Sequence, residues 1–158
     1  MSAVIDSHSD DHHHGPAKGI TRWLYTTNHK DIGTLYLWFS FLMLFLGGAM
    51  AMVIRAELFE PGSQIVSPEF YNQMLTNHGL IMVFGAVMPA FVGLANWIIP
   101  MQIGAPDMAL PRMNNLSFWI LPVAFGILIS TFFMEGGGPN FGWTCLLYTS
   151  PSPRDHQP

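Results

Sequence analysis

The chain has 158 residues, of which half are hydrophobic and 10% are charged, against roughly 25% charged in ordinary soluble domains. That deficit excludes a charge-solubilised globular surface and points to a chain solvated by lipid. The formal net charge of -4 argues against a nucleic-acid partner, and a single cysteine, Cys145, excludes an internal disulfide or a Cys-rich metal site.

Residues 1–30 are polar, rich in His, Asp and Ser, and lack an apolar core region, so no secretory signal is expected there. They show neither a helical nor a strand period, and most of the segment reads as a disordered tail. His8 and the tract His12, His13, His14 bind a transition metal adventitiously at most, and are read as tail composition.

Residues 32–54, IGTLYLWFSFLMLFLGGAMAMVI, run apolar without a charge. One helical crossing needs about 20 such residues. Lys30 and Asp31 precede this run, and Arg55 and Glu57 follow it. Residues 57–72 contain Pro61, Gly62, Ser63 and Pro68 and read as an extramembrane loop. A second apolar run covers 79–101, interrupted by Pro89 and ending at Pro100. Proline kinks a membrane helix, but neighbouring helices satisfy the freed carbonyl. QIGAPDMALPRMNN is a polar turn, and a third apolar run covers 116–134, with Pro122 near its start. Glu135 and GGGPNFGW then form a loop. No internal repeat is visible. The expected fold is all-α: a polytopic membrane helical bundle contributing three transmembrane helices.

The basic residues orient the bundle. Lys18, Arg22 and Lys30 lie before the first span, whereas the first loop holds only Arg55 against Glu57, Glu60 and Glu69. The positive-inside rule places the N-terminus in the cytoplasm, and with it the turn holding Asp107 and Arg112.

The last fourteen residues, CLLYTSPSPRDHQP, do not continue this pattern. CLLYTSPSPRD is what one reading frame of a common transposase sequencing adapter encodes, so residues 145–158 are expected to be artefactual. A genuine Pro-rich tail is the alternative. No function is drawn from them.

His78, in TNHGLIMVFGAVMP, stands at the start of the second span. An ionisable residue at membrane depth is costly and by default suggests function. Neutral imidazole is the usual haem-iron ligand; an interfacial His bonded to a loop carbonyl is the plainer alternative. Asp107 and Asn114 lie seven apart across the cytoplasmic turn, and Asn96 lies within the second span. An Asp at a channel mouth collects protons and buried amides orient water, but Asp and Asn are also ordinary turn and cap residues. Asn114 and Asn115 before an apolar run look like an N-cap. Asn96 is harder to dismiss, because an amide inside a span usually pairs with something. Arg55 either snorkels to the interface or donates hydrogen bonds to a cofactor. Glu57, Glu60 and the Gly62 carbonyl offer hard oxygen ligands for a cation such as calcium, or form a solvated acidic loop. Methionines in the spans are packing residues.

Beyond these residues, WLYTTNHKDIGTLYLWF, IRAELFEPG, NHGLIMVFGAVMPAFVGLANWIIPMQIGAPDMALPRMNNLSFWILP and EGGGPNFGWT resemble subunit I of bacterial and mitochondrial cytochrome c oxidases, of the A-type haem-copper oxidases. The resemblance covers roughly residues 20–144, in the family's order and spacing. Quinol oxidases typically read GARDVAFPFLNN where this chain reads GAPDMALPRMNN, which favours the cytochrome c branch.

The resemblance implies about a dozen membrane helices, a low-spin haem a, and a high-spin haem facing a copper. It implies dioxygen reduction to water with proton pumping, with cytochrome c as electron donor and oxidase subunits II and III and membrane lipid as partners. Carried over by motif, His78 is one of two axial ligands of the low-spin haem iron and Arg55 contacts that haem. Asp107 is the mouth of a proton-uptake pathway, with Asn96 and Asn114 ordering its first waters. Glu57, Glu60 and Gly62 fall where a calcium or sodium ion is often held. The second low-spin ligand, the high-spin ligand, the copper-binding histidines and their linked Tyr all lie beyond this chain. The 158-residue product alone is therefore expected neither to bind haem stably nor to reduce oxygen. The alternatives are a quinol oxidase subunit I, or a small non-catalytic three-helix membrane protein or b-type haem carrier. A bacterial inner membrane is the expected location.

Overall fold

A computed structural model describes residues 19–62 and 65–134. The His tract, the Glu135 loop and the 145–158 tail therefore lie outside the described residues. Within them the chain is helical: α1 (Ile20–Tyr25), α2 (His29–Glu57), α3 (Pro68–Leu80), a π-helical segment (Ile81–Val87), α4 (Met88–Ile103), α5 (Pro111–Ser130) and a closing 3-10 turn (Thr131–Phe133). Among the described residues three helices are long and apolar enough to cross a membrane: His29–Glu57, Pro68–Ile103 and Pro111–Phe133. The second is α3, the π segment and α4 running as one.

The inward face of α2 follows directly from its sequence. His29, Ile32, Gly33, Tyr36, Ser40, Met43, Gly47, Met50, Ile54 and Glu57 are its buried residues, and their spacing of mostly three and four is the helical stripe. The stripe is rich in small and polar side chains, while Trp38, Phe41 and Phe45 are 66%, 52% and 64% exposed on the other side. That inversion of a soluble helix is what lipid solvation permits, since apolar burial drives little helix association there.

Close approach is made by glycine. A Cβ on Gly33 would stand 2.9 Å from the Gly93 carbonyl oxygen and 2.6 Å from Trp97 Cδ1, and one on Gly93 would stand 3.0 Å from the Gly33 carbonyl. The α2 and α4 backbones thus meet directly. Higher up, a Cβ on Gly47 would stand 2.6 Å from Met82 Sδ. Met43, Met50, Ile81, Ala86 and Phe125 form the shared core of α2, the π segment and α5, and Ile32, Tyr36 and Phe118 form a second cluster nearer the α2 start.

Several element ends differ from the sequence expectations. Residues 1–30 were expected to be mostly structureless, yet Ile20–Tyr25 is helical and α2 begins at His29. One turn is too short to show a period, and α1 is tethered by Arg22, whose guanidinium donates to the Asp31 carboxylate at 3.0 Å. Pro68 is no loop residue. It occupies the first turn of α3 behind Ser67, whose hydroxyl accepts from the Phe70 N–H at 3.3 Å, a position where proline loses nothing. Asn114 and Asn115 do not cap α5, which starts at Pro111 behind Leu110. Asn115 instead donates to the Thr26 and Leu24 carbonyls at 2.6 and 3.2 Å, tying α5 to the α1–α2 linker. Pro89 leaves the second span continuous and is preceded by the π segment. Gly104, at φ 68°, closes α4 in the left-handed conformation, and the Ala105 N–H returns to the Pro100 carbonyl at 3.0 Å.

Candidate functional site

His78 lies within the second spanning helix, one turn before the π segment. Its Nδ1 is 2.8 Å from the Gly47 carbonyl oxygen on α2. A carbonyl only accepts, so Nδ1 carries the proton and donates. Nε2 is then the unprotonated nitrogen, with its lone pair directed away from α2. The imidazole is half-buried, and no hydrogen bond to Nε2 occurs among the described residues. A ring oriented through one nitrogen by a backbone carbonyl, with the other left as a donor, is the arrangement typical of metal-ligating histidines. A single neutral imidazole nitrogen of this kind fits a haem iron as its donor. No group of three or more His, Cys, Asp or Glu suited to a metal ion occurs among the described residues.

Gly47 matters twice here. Its carbonyl receives the imidazole, and its missing Cβ admits Met82 from the turn that follows His78. Arg55 lies eight residues beyond Gly47 on α2, about 12 Å along the axis. It is exposed and forms no hydrogen bond or ion pair among the described residues.

A polar cluster occupies the other end of the bundle. Asn96 is 3% exposed, and its Oδ1 accepts from Asn114 Nδ2 at 3.0 Å. The same Asn114 nitrogen lies 3.1 Å from Met108 Sδ. Asp107 is not bonded to either Asn. Its Oδ1 lies 3.2 Å from His29 Nδ1 and accepts from the Met108 N–H at 2.8 Å. The structure therefore joins Asn96 to Asn114 and sets Asp107 beside them through Met108, with His29 as its direct neighbour.

Sequence reasoning missed His29, Tyr36 and Ser117. Ser117 Oγ donates to the Asn114 carbonyl at 2.7 Å and lies 2.8 Å from the Tyr36 hydroxyl, so a line of polar groups runs inward from Asn114 along α5 to α2. Ser117 is three residues beyond Asn114, hence on the same helix face, which was the available signal. His29 hid in the presumed tail. Asn77, next to His78, was also missed. It is fully buried, and neither amide atom is hydrogen bonded among the described residues.

At the opposite end, Glu57 is buried and its Oε2 accepts from the N–H groups of Ile65 and Val66 at 2.8 and 3.1 Å. Glu57, Glu60 and Gly62 line one cavity of about 520 Å³ together with Tyr71 and Asn72.

Comparison with known proteins shows the family. Residues 31–153 match the family described as cytochrome c and quinol oxidase polypeptide I, a match that extends into the expected adapter-derived tail. A probable cytochrome c oxidase subunit 1-alpha of Streptomyces avermitilis is 48% identical over 128 residues, covering 81% of this chain and 22% of the relative. Cytochrome c oxidase subunit 1 of Corynebacterium diphtheriae is 46% identical over 135 residues, covering 84% and 24%. A heme-copper oxidase subunit I+III of Aeropyrum pernix is 43% identical over 139 residues, covering 88% and 17%. The chain thus spans less than a quarter of the length of these curated relatives. Its three apolar helices, inward-facing polar residues and matched sequence together establish that the chain belongs to the cytochrome c and quinol oxidase polypeptide I family.

Proposed function

We propose that this chain is the N-terminal part of the catalytic subunit of a terminal respiratory oxidase that takes electrons from cytochrome c, reduces dioxygen to water and pumps protons. The observation that carries the reading is the His78 Nδ1–Gly47 carbonyl bond, which presents Nε2 as a metal donor at membrane depth. The PRMNN turn supports the cytochrome c branch over the quinol branch.

His78 would hold the iron of a low-spin haem a through Nε2, with a second ligand supplied by a later segment. With two such imidazole ligands the group would supply electron transfer rather than oxygen binding. Gly47 fixes the tautomer and plane of the ring. Arg55, on the same helix toward the outer end, supplies a guanidinium to the haem periphery. The high-spin haem and copper at which oxygen is reduced are held by residues of the longer chain.

Asp107 collects protons at the cytoplasmic surface, with His29 beside its carboxylate. Asn96 and Asn114 order the first waters of the inward path, and Ser117 and Tyr36 continue that path with hydroxyls that both accept and donate. Glu57, Glu60 and the Gly62 carbonyl converge on one cavity and provide hard oxygen donors for a calcium or sodium ion on the outer side. The protein sits in the bacterial inner membrane, N-terminus in the cytoplasm, against lipid and oxidase subunits II and III. Residues 145–158 are read as adapter-derived on the strength of CLLYTSPSPRD, against a family match that runs to residue 153.

Sequencing the locus across the codon for Thr144 tests the parentage. Continuation into further apolar spans with His-rich motifs is expected. A stop directly after CLLYTSPSPRDHQP would contradict it.

A further inference from the structure

We propose that Ser40 is a positioning residue for His78: its hydroxyl pins the far end of the π-helical segment to α2, and so sets the direction of the imidazole. The inference rests on the reading of His78 as a haem ligand. Its ground is a pair of bonds from one helix. The imidazole of His78, just before the π segment, donates to the Gly47 carbonyl at 2.8 Å. Ser40 Oγ donates to the carbonyl of Ala86, inside the segment near its end, at 2.6 Å. Gly47 and Ser40 are seven residues apart, two turns on the buried stripe of α2. Ser40 is 8% exposed, so its hydroxyl is committed to this partner rather than to solvent.

Seven residues of π-helix are unusual, since such winding is mostly a single-turn insertion and is frequent at functional sites. Its bonds skip five residues instead of four, so it turns the chain less per residue than an α-helix. The segment therefore sets the phase between His78 before it and Gly93 and Asn96 after it. With this phase, His78 meets Gly47, Gly93 meets Gly33, and Asn96 meets Asn114 at once. Relaxation of 81–87 to α-helical winding would rotate one end away from its partner. The Ser40 hydroxyl gives the Ala86 carbonyl a donor from α2, a cross-helix bond of the kind that stabilises membrane bundles.

The test uses the full-length oxidase chain that carries this segment, with Ser40→Ala and Ser40→Thr. Two quantities are read: amide hydrogen exchange across 81–91, and the electron paramagnetic resonance g-values of the oxidised low-spin haem, which report the imidazole planes. Ser40→Ala is expected to speed exchange in 81–91 by about three- to tenfold, to leave α5 unchanged, and to shift the g-values. Ser40→Thr, which keeps the hydroxyl, is expected to restore both. Unchanged exchange in Ser40→Ala overturns the pinning, and faster exchange with unmoved g-values overturns its reach to His78. Equal shifts in both variants would assign the effect to side-chain volume and overturn the hydroxyl's role. If Ser40→Ala does not accumulate, Ser40→Cys, a weak donor, is expected to fall between wild type and the loss, and wild-type values there overturn the proposal. A low-spin signal that survives replacement of His78 would sink the ligand reading instead, leaving exchange in 81–91 to decide whether Ser40 pins the segment.

Discussion

The imidazole of His78 donates through Nδ1 to the carbonyl of Gly47, 31 residues earlier and on the neighbouring helix, at 2.8 Å. This bond joins packing to chemistry. The residue that lets the π segment approach α2 is also the one that orients the ring. Replacing Gly47 by Ala places a Cβ 2.6 Å from Met82 Sδ and 3.0 Å from its Cγ. The Met side chain can swing aside in part, so the expected cost is about 1–3 kcal/mol, accompanied by a shifted low-spin haem spectrum. Thermal denaturation with optical spectroscopy of the purified oxidase measures both. A loss of stability with an unaltered spectrum would separate packing from ligand orientation.

Gly33→Ala should be worse than Gly47→Ala. There the added Cβ meets the Gly93 backbone carbonyl at 2.9 Å as well as Trp97 Cδ1 at 2.6 Å, and backbone cannot rotate away. Splaying of α2 from α4 is expected, with loss of membrane-extracted folded protein. Detergent-resistant yield compared across the two variants checks the order.

The Asn96–Asn114 bond predicts coupling between the two positions. Asn96→Leu and Asn114→Leu are each expected to slow proton uptake, and the double variant to be little worse than either single one. The coupling energy in a stability cycle should be about 0.6–1.7 kcal/mol, the range for side-chain bonds between membrane helices. Strict additivity in proton uptake and in stability would mean the amides act separately.

Glu57→Gln removes a charged acceptor from the Ile65 and Val66 N–H groups. Bonds to a charged group contribute about 1.5–3 kcal/mol and neutral ones about 1 kcal/mol, so the loop should loosen by roughly 1 kcal/mol. Faster exchange at residues 65 and 66 is the readout. Chelation of divalent ions should speed exchange at the same residues if calcium is held by Glu57, Glu60 and Gly62; a response to sodium withdrawal alone would assign the monovalent ion.

The spans were legible because unbroken apolar runs have one solution in lipid: each backbone N–H and C=O must be satisfied within the segment. Their ends were less so. Residues 57–72 look like a loop throughout, yet the chain is helical from Pro68 onward because Ser67 and Pro68 make a competent N-terminus. The π segment had no sequence signature beyond Pro89, since its winding depends on contacts from α2 that are 31 and 46 residues distant. At the site, His78 and Asn96 stood out as polar residues at membrane depth. The pairing of Asn96 with Asn114 was not readable, because Asn114 resembled a cap until α5 was seen to start three residues earlier. His29 was hidden by the assumption that charged residues near the first span belong to a tail.

The most direct test of the account is the optical and paramagnetic spectrum of the full-length oxidase chain carrying this segment, with His78→Asn beside wild type. The account predicts a six-coordinate low-spin haem signal in the wild type that is lost in His78→Asn, while the other haem signal persists. Retention of the low-spin signal in His78→Asn would contradict the assignment of His78 as a haem-iron ligand.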